Sequence, residues 1–263
     1  VKRLAVLGHP VGHSRSPAMH NAALADLGLA DEWTYEAIDV APDQLERRVR
    51  AMPGEGFAGA NVTVPHKGAA LALADTLSET AREIGAANTL SFEAGEVRAD
   101  NTDAQGLLDA LPGSPGGRRA LVLGAGGAAR AAVWALGREG AEVAVWNRTA
   151  LRAEHLCTEL GGSPVEAPDQ GAYGLIVNTS AAGLHGEDPF ADLPLDRAGF
   201  VPGQVVVDLV YGERPSPLLA AAGAAGATTV DGLEVLVRQG ALSLRIWMGL
   251  EPPLEVMREA ARA

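Results

Sequence analysis

The sequence predicts an α/β protein built as two domains. Three observations carry this. The chain has 263 residues, and at roughly 150 residues per domain that favours two domains over one. Short apolar runs alternate with helix-length runs, the pattern of mostly parallel sheets covered by helices. Near the middle, a glycine turn at residues 124–129 joins one such strand to one such helix.

Each element has its own signal. Residues 4–8 are a short apolar strand. Ser16-Pro17 reads as an N-cap followed by proline at the first helical position, opening a helix to about residue 27. Residues 33–40 alternate like a strand, 42–52 form a charged helix, 57–62 a strand and 68–77 a helix. Residues 88–92 and 97–99 form a hairpin around Ala94-Gly95. A helix covers 104–111, and the Gly/Pro/Ser stretch 112–117 punctuates the chain. A second series follows: strands at 119–123, 142–146, 175–178, 205–209 and 228–230, helices at 128–139 and 151–160, then helical tails at 233–250 and 253–262. The second half has the doubly wound α/β order.

Composition narrows the function classes. The formal net charge is −12, which excludes a basic nucleic-acid surface. No apolar run reaches the 18 or so residues of a membrane span, and no charged-then-apolar leader precedes the first strand, so a soluble cytoplasmic protein is expected. Cys157 is the only cysteine, and a small residue packed on a helix is its plain reading. The histidines show no H-E-x-x-H and no Cys/His spacing, so no metal is expected. There is no G-x-S-x-G hydrolase elbow. Only Lys2 and Lys67 among 21 basic residues are lysine.

The glycine turn is the first chemical motif. Leu123-Gly124-Ala125-Gly126-Gly127-Ala128-Ala129 has the spacing G-x-G-x-x-A between a strand and a helix, the Rossmann-type dinucleotide fingerprint with alanine at its third position. Glycine lets a phosphate approach the backbone, and the helix N-terminus offers unpaired N–H groups. The next strand ends Trp146-Asn147-Arg148-Thr149, with Arg152 beyond. An NAD site usually carries a carboxylate there; guanidiniums and a hydroxyl suit a 2′-phosphate, so NADP is the expected cofactor.

The first half is dense in polar loops after its strands. Ser14 and Ser16 can offer hydroxyls to a ligand carboxylate, although helix capping alone also explains Ser16. Asn61 and Thr63 precede Pro65-His66-Lys67; Asn88 follows Gly85; Asp103 closes Asn101-Thr102-Asp103. Lys67 stands out in an arginine-rich chain, because a titratable amine is what arginine cannot supply. Asp103 is its candidate partner, and is equally placed as a helix N-terminal acid.

Together the runs 8–21 (GHPVGHSRSPAMHN), 61–67 (NVTVPHK), 85–89 (GAANT), 101–103 (NTD), 124–128 (GAGGA) and 147–149 (NRT), with Asp231-Gly232-Leu233 and Gln239, resemble the shikimate dehydrogenase family, in order and over nearly the whole chain. The resemblance implies NADPH-dependent, reversible reduction of 3-dehydroshikimate to shikimate in aromatic amino-acid biosynthesis. It implies a substrate-binding domain of residues 1–102 plus 240–263, with the C-terminal helices returning to it, and a Rossmann-type NADP-binding domain of 103–239. It implies Lys67 and Asp103 as the acid–base pair. Ser14, Ser16, Thr63, Asn88, Tyr211 and Gln239 would hold substrate, with Asn61 supporting them. Gly124, Ala125, Gly126, Gly127, Ala128, Asn147, Arg148, Thr149, Arg152, Leu209 and Gly232 would line the cofactor, with Glu79 beside it. Leu209 stands where family members often have methionine, a volume-conserving change. A homodimer is the assembly carried as an expectation. Two rivals remain: an NAD-dependent quinate/shikimate dehydrogenase, and a non-catalytic dinucleotide sensor that would not need Lys67, Asp103 and the serine loop together.

Overall fold

The computed structural model describes residues 1–212 and 215–263. The chain divides into two compact units, Val1–Gly106 with Leu236–Ala263, and Leu107–Val235. The expected boundaries at 102/103 and 239/240 each lie four residues from the observed ones. Asp103 and Gln239 both fall in the first unit.

The first unit opens with β1 (Lys2–Gly8), whose residues Leu4, Ala5, Val6 and Leu7 are all buried. A near-continuous apolar run is what a strand covered on both faces requires. Helix α1 (Ser16–Asp26) follows, then β2 (Trp33–Asp39), α2 (Leu45–Ala51) and β3 (Phe57–Val62). Next come α3 (Lys67–Leu73), β4 (Thr76–Leu77), α4 (Glu79–Ile84), β5 (Thr89–Glu93), β6 (Glu96–Asp100) and α5 (Asp103–Ala110). The sheet order is β2-β1-β3-β5-β6-β4. Strand β1 pairs in parallel with β2 and β3, while β5 runs antiparallel to both β3 and β6. The β5–β6 hairpin turns at Ala94 (φ 50°) and Gly95 (φ 86°), the two positive φ values that a tight two-residue hairpin needs.

Three local expectations are corrected. Ser16 is not the cap of α1: it is the first helical residue, Arg15 occupies the cap position, and Ser14 Oγ accepts the Ser16 N–H at 3.3 Å. The expected helix 68–77 stops at Leu73, because Asp75 takes the chain to β6, donating its N–H to Val97 O and accepting the Val97 N–H on its carboxylate. The expected single helix 42–52 is split, with 3-10 turns at Pro42–Gln44 and Met52–Glu55 flanking α2.

The second unit is a parallel sheet of β7 (Arg119–Leu123), β8 (Glu142–Trp146), β9 (Ser163–Pro164), β10 (Leu175–Asn178), β11 (Val205–Asp208) and β12 (Thr228–Asp231). Helices α6 (Gly127–Arg138), α7 (Ala150–Leu160) and α8 (Pro217–Ala224) cover it. Its order, β12-β11-β10-β7-β8-β9, is the doubly wound arrangement of a Rossmann-type domain, with the chain reversing direction between β7 and β10. Alternate strand residues feed opposite faces: Val122, Val145, Val177 and Val207 pack with Leu136 on one, Leu121, Ile176 and Val206 with Leu218 on the other. Helix α8 starts with a real Ser-Pro cap, Ser216 Oγ accepting the Leu219 N–H at 3.2 Å.

Helix α9 (Gly232–Met248) carries the chain from the second unit back to the first, and α10 (Leu254–Arg262) packs on α1. Behind the first sheet, His20 is fully buried and stacked on Tyr35 at 4.2 Å, with no hydrogen-bond partner on either ring nitrogen among the described residues. Burial pushes its pKa from 6.5 down to about 3. Below the ordinary value the unfolded chain takes up a proton that the native state refuses, so stability is full above about pH 6.5 and falls as pH drops toward 3. The loss at pH 5 should be about 2 kcal/mol. His20→Phe keeps the ring stack and removes the titration. Its urea midpoints should fall less steeply than wild type between pH 6.5 and 4; parallel curves would show that His20 carries none of the acid sensitivity.

Candidate active site

The first unit gathers a polar cluster from four separate segments. Lys67 begins α3, Asp103 begins α5, Asn88 precedes β5, and Gln239 lies on α9. Lys67 Nζ donates to Asp103 Oδ2 at 2.6 Å, and both side chains keep a small exposed fraction, 13% and 16%. Buried enough to hold one geometry yet open to a ligand, this pair can pass a proton to a bound oxygen or take one from it.

The remaining contacts set the orientation of that pair. Asn101 caps α5, its Oδ1 accepting the N–H of Asp103 at 3.0 Å, while its Nδ2 donates to Ala86 O. The Asn88 amide has only one possible orientation. Its Oδ1 accepts the Thr102 N–H at 2.8 Å, and a backbone N–H can only donate. Asn88 Nδ2 therefore faces Asp103 Oδ1 and Gln239 Oε1, each at 3.0 Å. Gln239 Nε2 donates to Leu236 O at 2.8 Å, which turns its carbonyl oxygen toward Asn88. Asn61 is buried one layer away, accepting the Tyr35 hydroxyl on Oδ1 and donating from Nδ2 to Asn88 O and Ser243 Oγ.

Gly106 permits this assembly. A Cβ there would lie 2.7 Å from Gln239 Cβ and 2.8 Å from its backbone nitrogen, so α5 and α9 touch backbone to backbone. Gly106→Ala must separate them; overpacking of this kind costs typically 1–3 kcal/mol. The urea midpoint should fall accordingly, and an unchanged midpoint would contradict the tight crossing.

Ser14 and Thr63 lie on loops at the ends of β1 and β3, and Ser16 opens α1 just after the first of them. These loops run side by side, Thr63 N–H donating to Leu7 O and His9 N–H to Val64 O. Among the described residues no hydrogen bond joins Ser14, Ser16 or Thr63 to the Lys67 cluster. Ser14 is half-buried, and Ser16 is buried in the first turn of α1. Thr89, Thr102 and Ser243 are parts of the cluster that sequence reading did not single out. Thr89 and Thr102 lie within the runs 85–89 and 101–103, and Ser243 stands one helical turn beyond Gln239.

The second unit carries the glycine turn. Gly124 ends β7 at φ +116°, and a Cβ there would lie 2.7 Å from Thr179 Oγ1, so conformation and space both demand glycine. Helix α6 starts at Gly127 with no side-chain cap, leaving its first-turn N–H groups for an anion. Ala129, at the third fingerprint position, is fully buried. Ala125, Gly127 and Ala128 are half-buried and Gly126 exposed on the turn. At the end of β8, Asn147 Nδ2 donates to Thr149 O at 2.9 Å, shaping the turn into α7. Arg148, Thr149 and Arg152 are exposed beside it, and Arg148 Nη1 lies 3.8 Å from Asp192 Oδ1. Leu209 and Gly232 are neighbours: a Cβ on Gly232 would meet Leu209 O at 2.5 Å. Half-buried Tyr211 lies just beyond, on a segment anchored by buried Asp208, which accepts from Ser216 Oγ, Asn178 Nδ2 and the Val210 N–H. Burial raises the Asp208 pKa, against the lowering effect of these bonds. Glu79 belongs to the first unit, exposed in the first turn of α4.

Known proteins match this chain over most of its length. A family model described as the shikimate dehydrogenase substrate binding domain matches residues 6–90. One described as shikimate / quinate 5-dehydrogenase matches 109–171, and one described as the shikimate 5'-dehydrogenase C-terminal domain matches 232–262. The NADP(+) shikimate dehydrogenase of Methanopyrus kandleri is 43% identical, covering 97% of this chain and 93% of its own. That of Mesorhizobium japonicum is 43% identical, covering 95% and 92%. The crystal structure of shikimate 5-dehydrogenase from Thermus thermophilus with NADP(H) and shikimate superposes with a TM-score of 0.90 at 44% identity, covering 100% of this chain and 99% of that one. The chain belongs to the shikimate dehydrogenase family.

Proposed function

We propose that this protein catalyses the reversible NADPH-dependent reduction of 3-dehydroshikimate to shikimate, with Lys67 and Asp103 as its acid–base pair. The observation that carries the residue assignment is the 2.6 Å contact between Lys67 Nζ and Asp103 Oδ2, locked by Asn88 from a third segment. A dinucleotide sensor has no use for such a pair.

The residues of the second unit fit NADP. The strained glycine turn and the uncapped start of α6 suit a pyrophosphate. Exposed Arg148, Thr149 and Arg152 suit a 2′-phosphate, with Asn147 shaping their turn. Gly124, Ala125, Gly126, Gly127, Ala128, Leu209 and Gly232 complete the proposed cofactor surface, and Glu79 is proposed beside it. When bound, NADPH supplies the hydride.

The chain's own groups do the rest. As negative charge develops on the substrate ketone oxygen, Lys67 donates a proton to it. Asp103 holds the amine and accepts from a substrate hydroxyl. Asn88 keeps Asp103 from turning, and Gln239, with a second N–H to offer, holds another hydroxyl. Ser14, Ser16, Thr63 and Tyr211 are proposed to hold the carboxylate and the remaining hydroxyls, and Asn61 to support Asn88. In the oxidative direction Lys67 takes the proton from the substrate hydroxyl as the hydride leaves. No helix among the described residues is long and apolar enough to cross a membrane, and we propose a cytoplasmic location.

The direct test follows reduced-cofactor absorbance with shikimate or quinate and with NADP or NAD. Turnover with shikimate and NADP is expected. Preference for NAD and quinate would favour the first rival, and absence of turnover with either acid the sensor.

A further inference from the structure

Ser243 is fully buried on α9, one helical turn past Gln239 and on the same face. Its Oγ has four polar neighbours from four segments. They are Thr89 Oγ1 at 2.8 Å from β5, Asn61 Nδ2 at 2.9 Å from β3, Thr102 Oγ1 at 3.1 Å from the turn before α5, and Gln239 O at 3.1 Å on α9 itself. A hydroxyl offers one proton and two lone pairs, so these neighbours saturate it.

The directions of these bonds follow from fixed partners. Asn61 Nδ2 also faces Asn88 O at 3.1 Å, and a carbonyl can only accept, so the Asn61 N–H enters a lone pair of Ser243. Thr102 Oγ1 lies between Ser243 and Asn88 Nδ2, 2.8 Å from the latter. The hydroxyl of Ser243 thus stands behind Asn61, Thr102 and the Gln239 turn, and through Thr102 behind the Asn88 amide that faces Asp103.

We propose that Ser243 is a positioning residue of this reaction: its hydroxyl joins the Asn61, Thr102 and Gln239 segments into the one arrangement that aims Asn88 and Gln239 at the substrate. The inference rests on the shikimate dehydrogenase reading. A role in packing alone predicts otherwise, since alanine fills nearly the same volume. Removing the hydroxyl takes one acceptor from the Asn61 amide and one neighbour from the Thr102 hydroxyl in a buried place, and with fewer bonds to hold them the amides can turn. Misplacement of substrate-holding groups by less than an ångström is enough to slow a reaction that depends on their alignment.

Ser243→Ala is compared with wild type in steady-state shikimate oxidation with NADP, alongside thermal melting. The kcat/KM for shikimate should fall about tenfold, a barrier increase of about 1.4 kcal/mol, while KM for NADP stays within about twofold. A folded variant that keeps kcat/KM for shikimate within about twofold overturns the inference, whatever its Tm. If Ser243→Ala does not fold, Ser243→Cys decides, because it keeps a side chain of similar shape and offers only a weak S–H donor and acceptor in place of the hydroxyl. A fall of about threefold or more in the same constant supports the inference, and no fall overturns it. Wild-type protein inactive with shikimate and NADP would sink the functional reading and this inference together; active wild type with an unaffected variant sinks the inference alone.

Discussion

Replacing Lys67 by alanine should lower kcat for shikimate oxidation about 10²–10⁴-fold, the usual worth of a positioned acid–base group, with a much smaller change in KM. The expectation comes from what the amine does and where it sits. Lys67 is held at 2.6 Å by one oxygen of Asp103, and the other oxygen is engaged by Asn88. The substrate hydroxyls are proposed to be held mainly by other residues, so binding survives the loss of the amine while proton transfer does not. Lys67→Arg separates charge from proton transfer: a guanidinium keeps the cation but does not give up its proton near neutral pH. It should remain as impaired as alanine within about tenfold. A Lys67→Ala enzyme with near-normal kcat would remove Lys67 from the chemistry.

Replacing Arg148 and Arg152 together by alanine should raise KM for NADP steeply and leave NAD turnover nearly unchanged. A hydrogen bond to a charged group is worth about 1.5–3 kcal/mol, so losing one such contact costs about 10- to 100-fold in affinity. Both arginines are exposed, so the expected effect lies in binding and not in folding. The ion pair of Arg148 with Asp192, at 3.8 Å, is long and solvent-exposed, and pairs of that kind contribute about 0–1 kcal/mol. Thermal melting of the double variant should therefore match wild type. Its KM for NADP should also lose part of the wild-type salt dependence, since fewer charges are screened. Equal loss of NADP and NAD activity would mean that the arginines support the turn and do not read the phosphate.

The readable parts of this protein are those set by local chemistry. The strand at Arg119–Leu123, the glycine turn and the helix after it follow from an apolar run, a positive-φ requirement and a helix start, all within about twenty residues. The strands Phe57–Val62, Glu142–Trp146 and Leu175–Asn178 were legible to the residue for the same reason. Helices α4 and α8 escaped notice although Ser78 and Ser216 cap them. They are short, and α8 is apolar and alanine-rich, so neither presents a clear two-faced pattern. The helix thought to reach residue 77 ended early because Asp75 bonds to Val97, a partner twenty-two residues away that no local pattern announces.

The same division runs through the site. By itself, the sequence marked the residues proposed to carry chemistry: a glycine turn for a phosphate, arginines in place of an acid, and a lysine where arginine is the rule. Each is a property of a residue type at its place in the chain. Only the tertiary structure decided how they are held. It joined Lys67 to Asp103 across thirty-six positions and Asn88 to Gln239 across 151, brought α5 against α9 at Gly106, and put Ser243 behind them all. Hydrogen bonds between distant segments depend on how the sheet and helices pack, and packing is a property of the whole chain that no single stretch of it contains.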